Sequence, residues 1–321
     1  ALLRAALVID PARVSAIELL LDVASRGELR AEAAIAGAVL SVIEPTGART
    51  AAFPIDARTI AAQRDTLFRD PGQQQARALL RAVWESALPL FRTSPPQLGI
   101  VGTDRVGVHG ASGLGRALAA VIDALPEDEP AVFAVRRAHT GIIPVRTHPP
   151  AVLVGSDAPT DEGSLRFLLG RALELARPEH VLVATLGENE GRTLFAALRA
   201  AFGPAESGQV ERQAAAMASE LWRTIPARSQ RDVRELLLAC EEALDWDRMS
   251  AAIFGGAARA GLVASGDVAA SIRALLHEEA NPAREHRLDS PAALGDAIAS
   301  SGALTELLRF AFGDAFVAAV R

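Results

Sequence analysis

Apolar residues recur along most of this chain at the three- and four-residue spacing of amphipathic helices, with one central stretch of shorter β-type runs. At the N-terminus the spacing predicts a helix through Ala1–Ile9 that closes at Asp10-Pro11, then two more over Val14–Ser25 and Ala31–Ile43, parted at Gly27 and ended by Glu44-Pro45. Thr46–Gln97 reads as a connector holding a strand-like piece (Thr50–Ile55) and a helix from Gln73 to Phe91, stopped by Pro95-Pro96. Leu98–Gly110 alternates around glycines like a short hairpin, and Leu114–Leu125 is helical. Ala131–Val135, Ile142–Arg146 and Ala151–Gly155 are three runs parted by turn residues, a small sheet. Helices follow over Ser164–Ala176, Arg192–Phe202, Val210–Arg223, Ser229–Leu244, Trp246–Val263 and Val268–Glu279. Ser229, with Asp232 three residues on, is a capping-box-like start, and Asn281-Pro282 is the last stop. The expected class is mainly α with a small β-sheet.

Pro11 and Pro45 lie 34 residues apart, a repeat period with a structural meaning. Ala6, Leu20 and Ala33 fall where that repeat places apolar or small residues, and Gly27 is one place off its slot. Residues 1–45 therefore resemble the last one and a half units of a tetratricopeptide array, a helical hairpin that implies protein binding through an extended surface.

A second resemblance runs from about Leu98 to Leu276. The segment from Pro150 to His180 is strand, acidic turn (Asp157, Asp161, Glu162) and apolar helix, and a late helix carries Ala257-Ala258-Arg259-Ala260-Gly261-Leu262 followed by Gly266-Asp267. This order is similar to the heat-shock protease and CAAX prenyl endopeptidase family of zinc metallopeptidases. Their central helix carries H-E-x-x-H, and their late helix a glutamate ligand four residues before an aspartate. Here the central frame reads Arg171-Ala172-Leu173-Glu174-Leu175; Phe254 stands at the glutamate position and Ala258 at the aspartate position. A catalytic zinc needs three N, S or O ligands and an open water position. Arg171, Leu175 and Phe254 offer none, and Ala172 stands where the general base belongs. The resemblance thus implies a zincin-like domain over residues 98–321, joined by a connector (46–97) to the tetratricopeptide-like hairpin, and without its chemistry. Arg171 and Glu174 are expected to form a surface i,i+3 pair. A sheet edge at Ala131–Val135 or Ala151–Gly155 is the place where such a cleft would still accept an extended peptide.

Composition narrows the partners. The 321 residues are 50% hydrophobic but only 4% aromatic, and all 33 basic residues are arginine. A net charge of −6 without an Arg-rich run opposes nucleic-acid binding. Cys240 is the single cysteine, inside a helical pattern, so no disulfide forms within the chain and a cytoplasmic location is expected. No apolar run is long enough to span a bilayer, and the chain begins in mid-pattern without Met, as a fragment would.

Two enzymatic alternatives are visible. Gly110–Gly115 after a short run resembles the phosphate turn of short-chain dehydrogenases, whose catalytic Tyr and Lys this chain lacks entirely. His277-Glu278-Glu279-Ala280-Asn281, with His286 beyond, is a near-miss for H-E-x-x-H in which Asn281 replaces the second histidine. His109, His139, His148 and His180 show no metal spacing, and neither Ser112 nor Ser164 has a nucleophile context. The sequence reading is a non-catalytic scaffold that binds another protein or peptide, needs no cofactor and spans no membrane.

Overall fold

The computed structural model describes residues 2–43, 53, 64, 67–68, 70–108, 110, 112–125, 131–136, 141–204, 211–240, 244–279 and 288–320. The described chain is mainly helical with one three-stranded sheet. In order it runs α1 (Leu2–Ile9), α2 (Val14–Arg26), α3 (Arg30–Leu40), α4 (Gln74–Ser86), α5 (Leu88–Phe91), α6 (Gly113–Ala124), β1 (Ala131–Ala134), β2 (Ile142–Val145) and β3 (Ala151–Val154). It continues through α7 (Glu162–Leu175), α8 (Val181–Thr185), α9 (Glu188–Phe202), α10 (Arg212–Thr224), α11 (Ala227–Cys240), α12 (Trp246–Ser265) and α13 (Val268–Glu279). The last three helices are α14 (Pro291–Ser300), α15 (Gly302–Phe312) and α16 (Asp314–Val320).

α12 is the strut of the molecule. Its first half, with Trp246, Met249 and Ile253, packs among α4, α8, α9, α10 and α11. Its second half, with Ala260, Leu262 and Val263, packs in a larger core that also takes in α1–α3, α6, α7 and α13–α16. Leu7, Ile17 and Ile35 of the N-terminal helices lie in that same core, continuous with Leu307 and Phe316 at the other end of the chain. α7 runs along α12 at unusually close range because both offer glycine: a Cβ on Gly170 would lie 2.5 Å from Ala264 Cβ, and one on Gly261 2.6 Å from the Phe167 carbonyl oxygen. Caps fix where both helices begin. Asp161 accepts from the Ser164 N–H at 2.9 Å and Asp245 from the Arg248 N–H at 2.9 Å.

The sheet order is β1-β3-β2, with β3 parallel to β1 and antiparallel to β2. β3 is therefore central, which corrects the expectation of a free edge at Ala151–Gly155. The true edges are both blunted. Gly155 N–H donates to Gly141 C=O at 2.7 Å, so by ladder alternation Ile142 and Pro144 turn their backbone groups outward. Pro144 has no N–H to give, and the next outward group, Arg146 C=O, is taken by Thr93 N–H at 2.7 Å. On β1, Val132 C=O accepts from Val106 N–H at 2.8 Å beside an isolated bridge between Arg105 and Phe133.

Other expectations shift for local reasons. Among the described residues of Leu98–Gly110 there is no hairpin: Pro95–Leu98 and Gly102–Asp104 are 3-10 turns, and the Asp104 carboxylate holds the Val101 N–H at 2.9 Å. The helix expected over Gln73–Phe91 breaks at Ala87, ahead of Pro89. α11 starts at Ala227, directly after Pro226, so Ser229 lies inside its first turn rather than ahead of it. Most of Thr50–Ile55, with Pro45 and Pro282, lies outside the described residues; Phe53 N–H donates to Gly266 C=O at 2.8 Å.

Candidate functional site

The five positions that carried the peptidase resemblance divide between core and surface. Ala172 and Ala258 are buried in the larger core, and Leu175 is buried in the other. Phe254 is half-buried, on the groove described below. Arg171 reaches across to α13 and contacts the Glu278 carboxylate directly. This corrects the i,i+3 pairing, because Glu174 points elsewhere. It also joins two readings the sequence kept apart, since Glu278 belongs to the alternative metal set. His277 and Glu278 close α13, while His286 lies outside the described residues. Among the described residues no three His, Cys, Asp or Glu side chains converge as a metal site.

Glu174 lies at the centre of a buried ionic cluster. Its Oε2 accepts from Arg64 Nη2 at 2.6 Å, and its Oε1 lies 3.5 Å from His180 Nδ1 and 3.9 Å from Arg177 Nε. Arg177 in turn holds Glu179 at 2.8 Å. Burial pushes the Glu174 carboxyl up, but the Arg64 and Arg177 guanidiniums hold it below the usual carboxylate range. Glu179 is likewise raised by burial and lowered more by Arg177, to about 2. His180 moves down: burial outweighs the pull of Glu174 and Glu179, so the ring is neutral. Arg64 is therefore the firm cationic partner of Glu174. The His180 Nδ1 sits 2.9 Å from the Glu174 main-chain oxygen, which only accepts, so the proton is on Nδ1. Nε2 is left as a buried lone pair without a hydrogen-bond partner among the described residues. The sequence held one signal for this cluster: Glu174 falls inside an apolar helical run.

The glycine turn ends in a capped helix. Ser112 Oγ accepts from the Gly115 N–H at 3.0 Å, and a Cβ on Gly115 would lie 2.8 Å from Gly110 O and 3.1 Å from Gly107 O. Carbonyl oxygens thus crowd the first turn of α6 where a phosphate would have to approach. Ser164 Oγ donates to Ala270 C=O at 3.4 Å, and Asp157 accepts from Gly141 N–H at 3.1 Å, so these side chains serve local structure. His109 and His139 lie outside the described residues.

On the surface, a groove of about 450 Å³ opens between the end of α8, the start of α9 and the first half of α12. Val183, Leu186, Trp246 and Phe254 line it, with Glu188 and Asp247 at its rim. Trp246, Asp247, Ser250, Ala251 and Phe254 come from one face of α12 at helical spacing.

Comparison with protein families, curated proteins and solved structures finds no match to this chain.

Proposed function

We propose that this protein is a non-catalytic interaction scaffold: a tetratricopeptide-like helical hairpin packed on a zincin-like domain that has exchanged its metal chemistry for hydrocarbon packing. The observation that carries the reading is the α7–α12 layer. Ala172 and Ala258 are buried in the apolar core that this layer belongs to, and Leu175 is buried in the neighbouring one. Groups of this kind bind neither zinc nor a polarised water. Arg171 adds a cation to the frame and spends it on Glu278. The N-terminal part supports a binding role in its own way, since Leu2, Ile9, Leu19 and Val23 are exposed apolar side chains on α1 and α2. Among the described residues no helix is long and apolar enough to cross a membrane. A cytoplasmic location fits the lone buried Cys240.

The test is metal content by mass spectrometry after dialysis against trace zinc, together with cleavage of a quenched fluorescent peptide library. The scaffold reading expects neither bound metal nor cleavage. One tight zinc equivalent with cleavage overturns it, and mutation of His277, Glu278 and His286 then locates the metal. A thermal shift with dinucleotides tests the Gly110–Gly115 alternative in the same samples.

A further inference from the structure

We infer that the groove between α8, α9 and α12 is a docking site for a short amphipathic segment of another protein, one that offers an apolar side chain flanked by lysine or arginine. The inference rests on the interaction reading above and specifies its chemistry.

The floor is apolar and rigid. Trp246 is clamped from below, because a methyl group at Gly191 would overlap its ring, and Phe195 meets it edge-to-face at 5.6 Å. Phe254, Leu186 and Val183 complete the floor, and a volume of about 450 Å³ is in the range of grooves that hold a few side chains. The floor therefore need not reorganise when an apolar group enters it.

The rim is acidic, and it already displays the cation it accepts. Glu188 and Asp247 are each 67% exposed, and Arg192 bridges them, with Nη2 3.1 Å from Glu188 Oε1 and 2.6 Å from Asp247 Oδ1. The neighbouring Glu190 and Asp245 carboxylates are taken by the helix starts, accepting from the Gly187 and Arg248 N–H groups. Two exposed carboxylates thus share one arginine at the rim, in a chain whose net charge is −6. A basic side chain of a partner competes with Arg192 for the same two carboxylates. Exchanging one exposed pair for another changes little energy, so burial of the apolar side chain supplies the affinity and the rim supplies sign and orientation.

Trp246 reports on the groove. In a Trp222→Phe background, which removes the half-exposed tryptophan on α10 and leaves the fully buried Trp84 as a constant second emitter, the change in emission is followed during titration with a synthetic Leu/Lys amphipathic peptide and with its Leu/Glu counterpart. The Leu/Lys peptide is expected to saturate at one equivalent and the Leu/Glu peptide not to bind. Ala251→Arg, an exposed helical change that fills the mouth with a cation, is expected to weaken binding about tenfold or more. Arg192→Ala, which releases both carboxylates, is expected to tighten it about threefold. Circular dichroism confirms that each variant is folded. Unchanged affinity in Ala251→Arg, no tightening in Arg192→Ala, equal binding of the two peptides, or binding of neither overturns the groove. The broader interaction reading falls separately, on bound zinc with peptide cleavage.

Discussion

Arg64 and Glu174, 110 residues apart in the chain, meet at 2.6 Å in the interior, the carboxylate with 1% of its side chain exposed. A buried pair is costly to assemble and far more costly to break from one side, because the surviving charge stays in a poorly solvating medium. Glu174→Gln is therefore expected to lower unfolding free energy by about 3–5 kcal/mol. Glu278→Gln, which breaks the more exposed contact to Arg171, is expected to cost about 1 kcal/mol or less. Urea denaturation of both variants gives the comparison, and a near-equal loss would remove the central place given to Glu174.

The same cluster sets the direction of acid sensitivity. His180 is depressed from 6.5, so the unfolded chain takes up a proton there before the folded chain does, and stability declines as pH falls below 6.5. Glu174 and Glu179 are depressed from 4.5, so their contribution is complete above 4.5 and is lost as pH falls further, for Glu179 through about 2. Both effects have the same sign. Melting temperature is expected to be level above about pH 7 and to fall in two limbs below it. His180→Gln should flatten the upper limb and leave the lower one. A melting temperature that rises on acidification to pH 5 contradicts the assignment of a neutral buried ring.

Two glycines test the α7–α12 contact against helix propensity. Gly170→Ala places a methyl 2.5 Å from Ala264 Cβ and is expected to cost about 1–3 kcal/mol by overpacking. Gly255→Ala, on α12 where a Cβ meets nothing within 4 Å, is expected to gain about 0.5–1 kcal/mol. Thermal unfolding separates the two by sign.

The turn between α2 and α3 places its left-handed residue at Glu28, with φ of 56°, rather than at Gly27. An L side chain with a Cβ is disfavoured there. Glu28→Gly is expected to stabilise the protein by about 0.5–1 kcal/mol, measured by denaturant midpoint. A loss of stability would mean that the Glu28 side chain makes a compensating contact.

Much of the secondary structure was legible because its signals are local. Val268–Glu279 matches α13 end to end, α12 begins at Trp246 as expected, and the three β-type runs match the strands to within one residue. Helices α8 and α14–α16 were not read from the spacing at all, and other errors of secondary structure fell where glycine or proline decided the backbone. Leu98–Gly110 alternates like a hairpin, yet Pro95-Pro96 and the left-handed Gly99 turn it into 3-10 geometry. The groove was not foreseen, although Trp246, Ser250 and Phe254 recur every four residues, because Val183 and Leu186 join them only across a helix contact.

By itself the sequence determined the mainly helical class, the place of the small sheet, the absence of ligand chemistry at Arg171, Ala172, Leu175 and Phe254, and the acidic balance. Those follow from residue identity and from periods of two to four residues. Tertiary structure alone decided that Ala151–Val154 is central, that Arg171 meets Glu278, and that Arg64 neutralises Glu174. Strand order and ion pairing join residues far apart in the chain, and they are selected by which arrangement buries apolar surface without stranding a charge. The one buried carboxylate at the heart of α7 thus has its meaning from a partner that no local pattern announces.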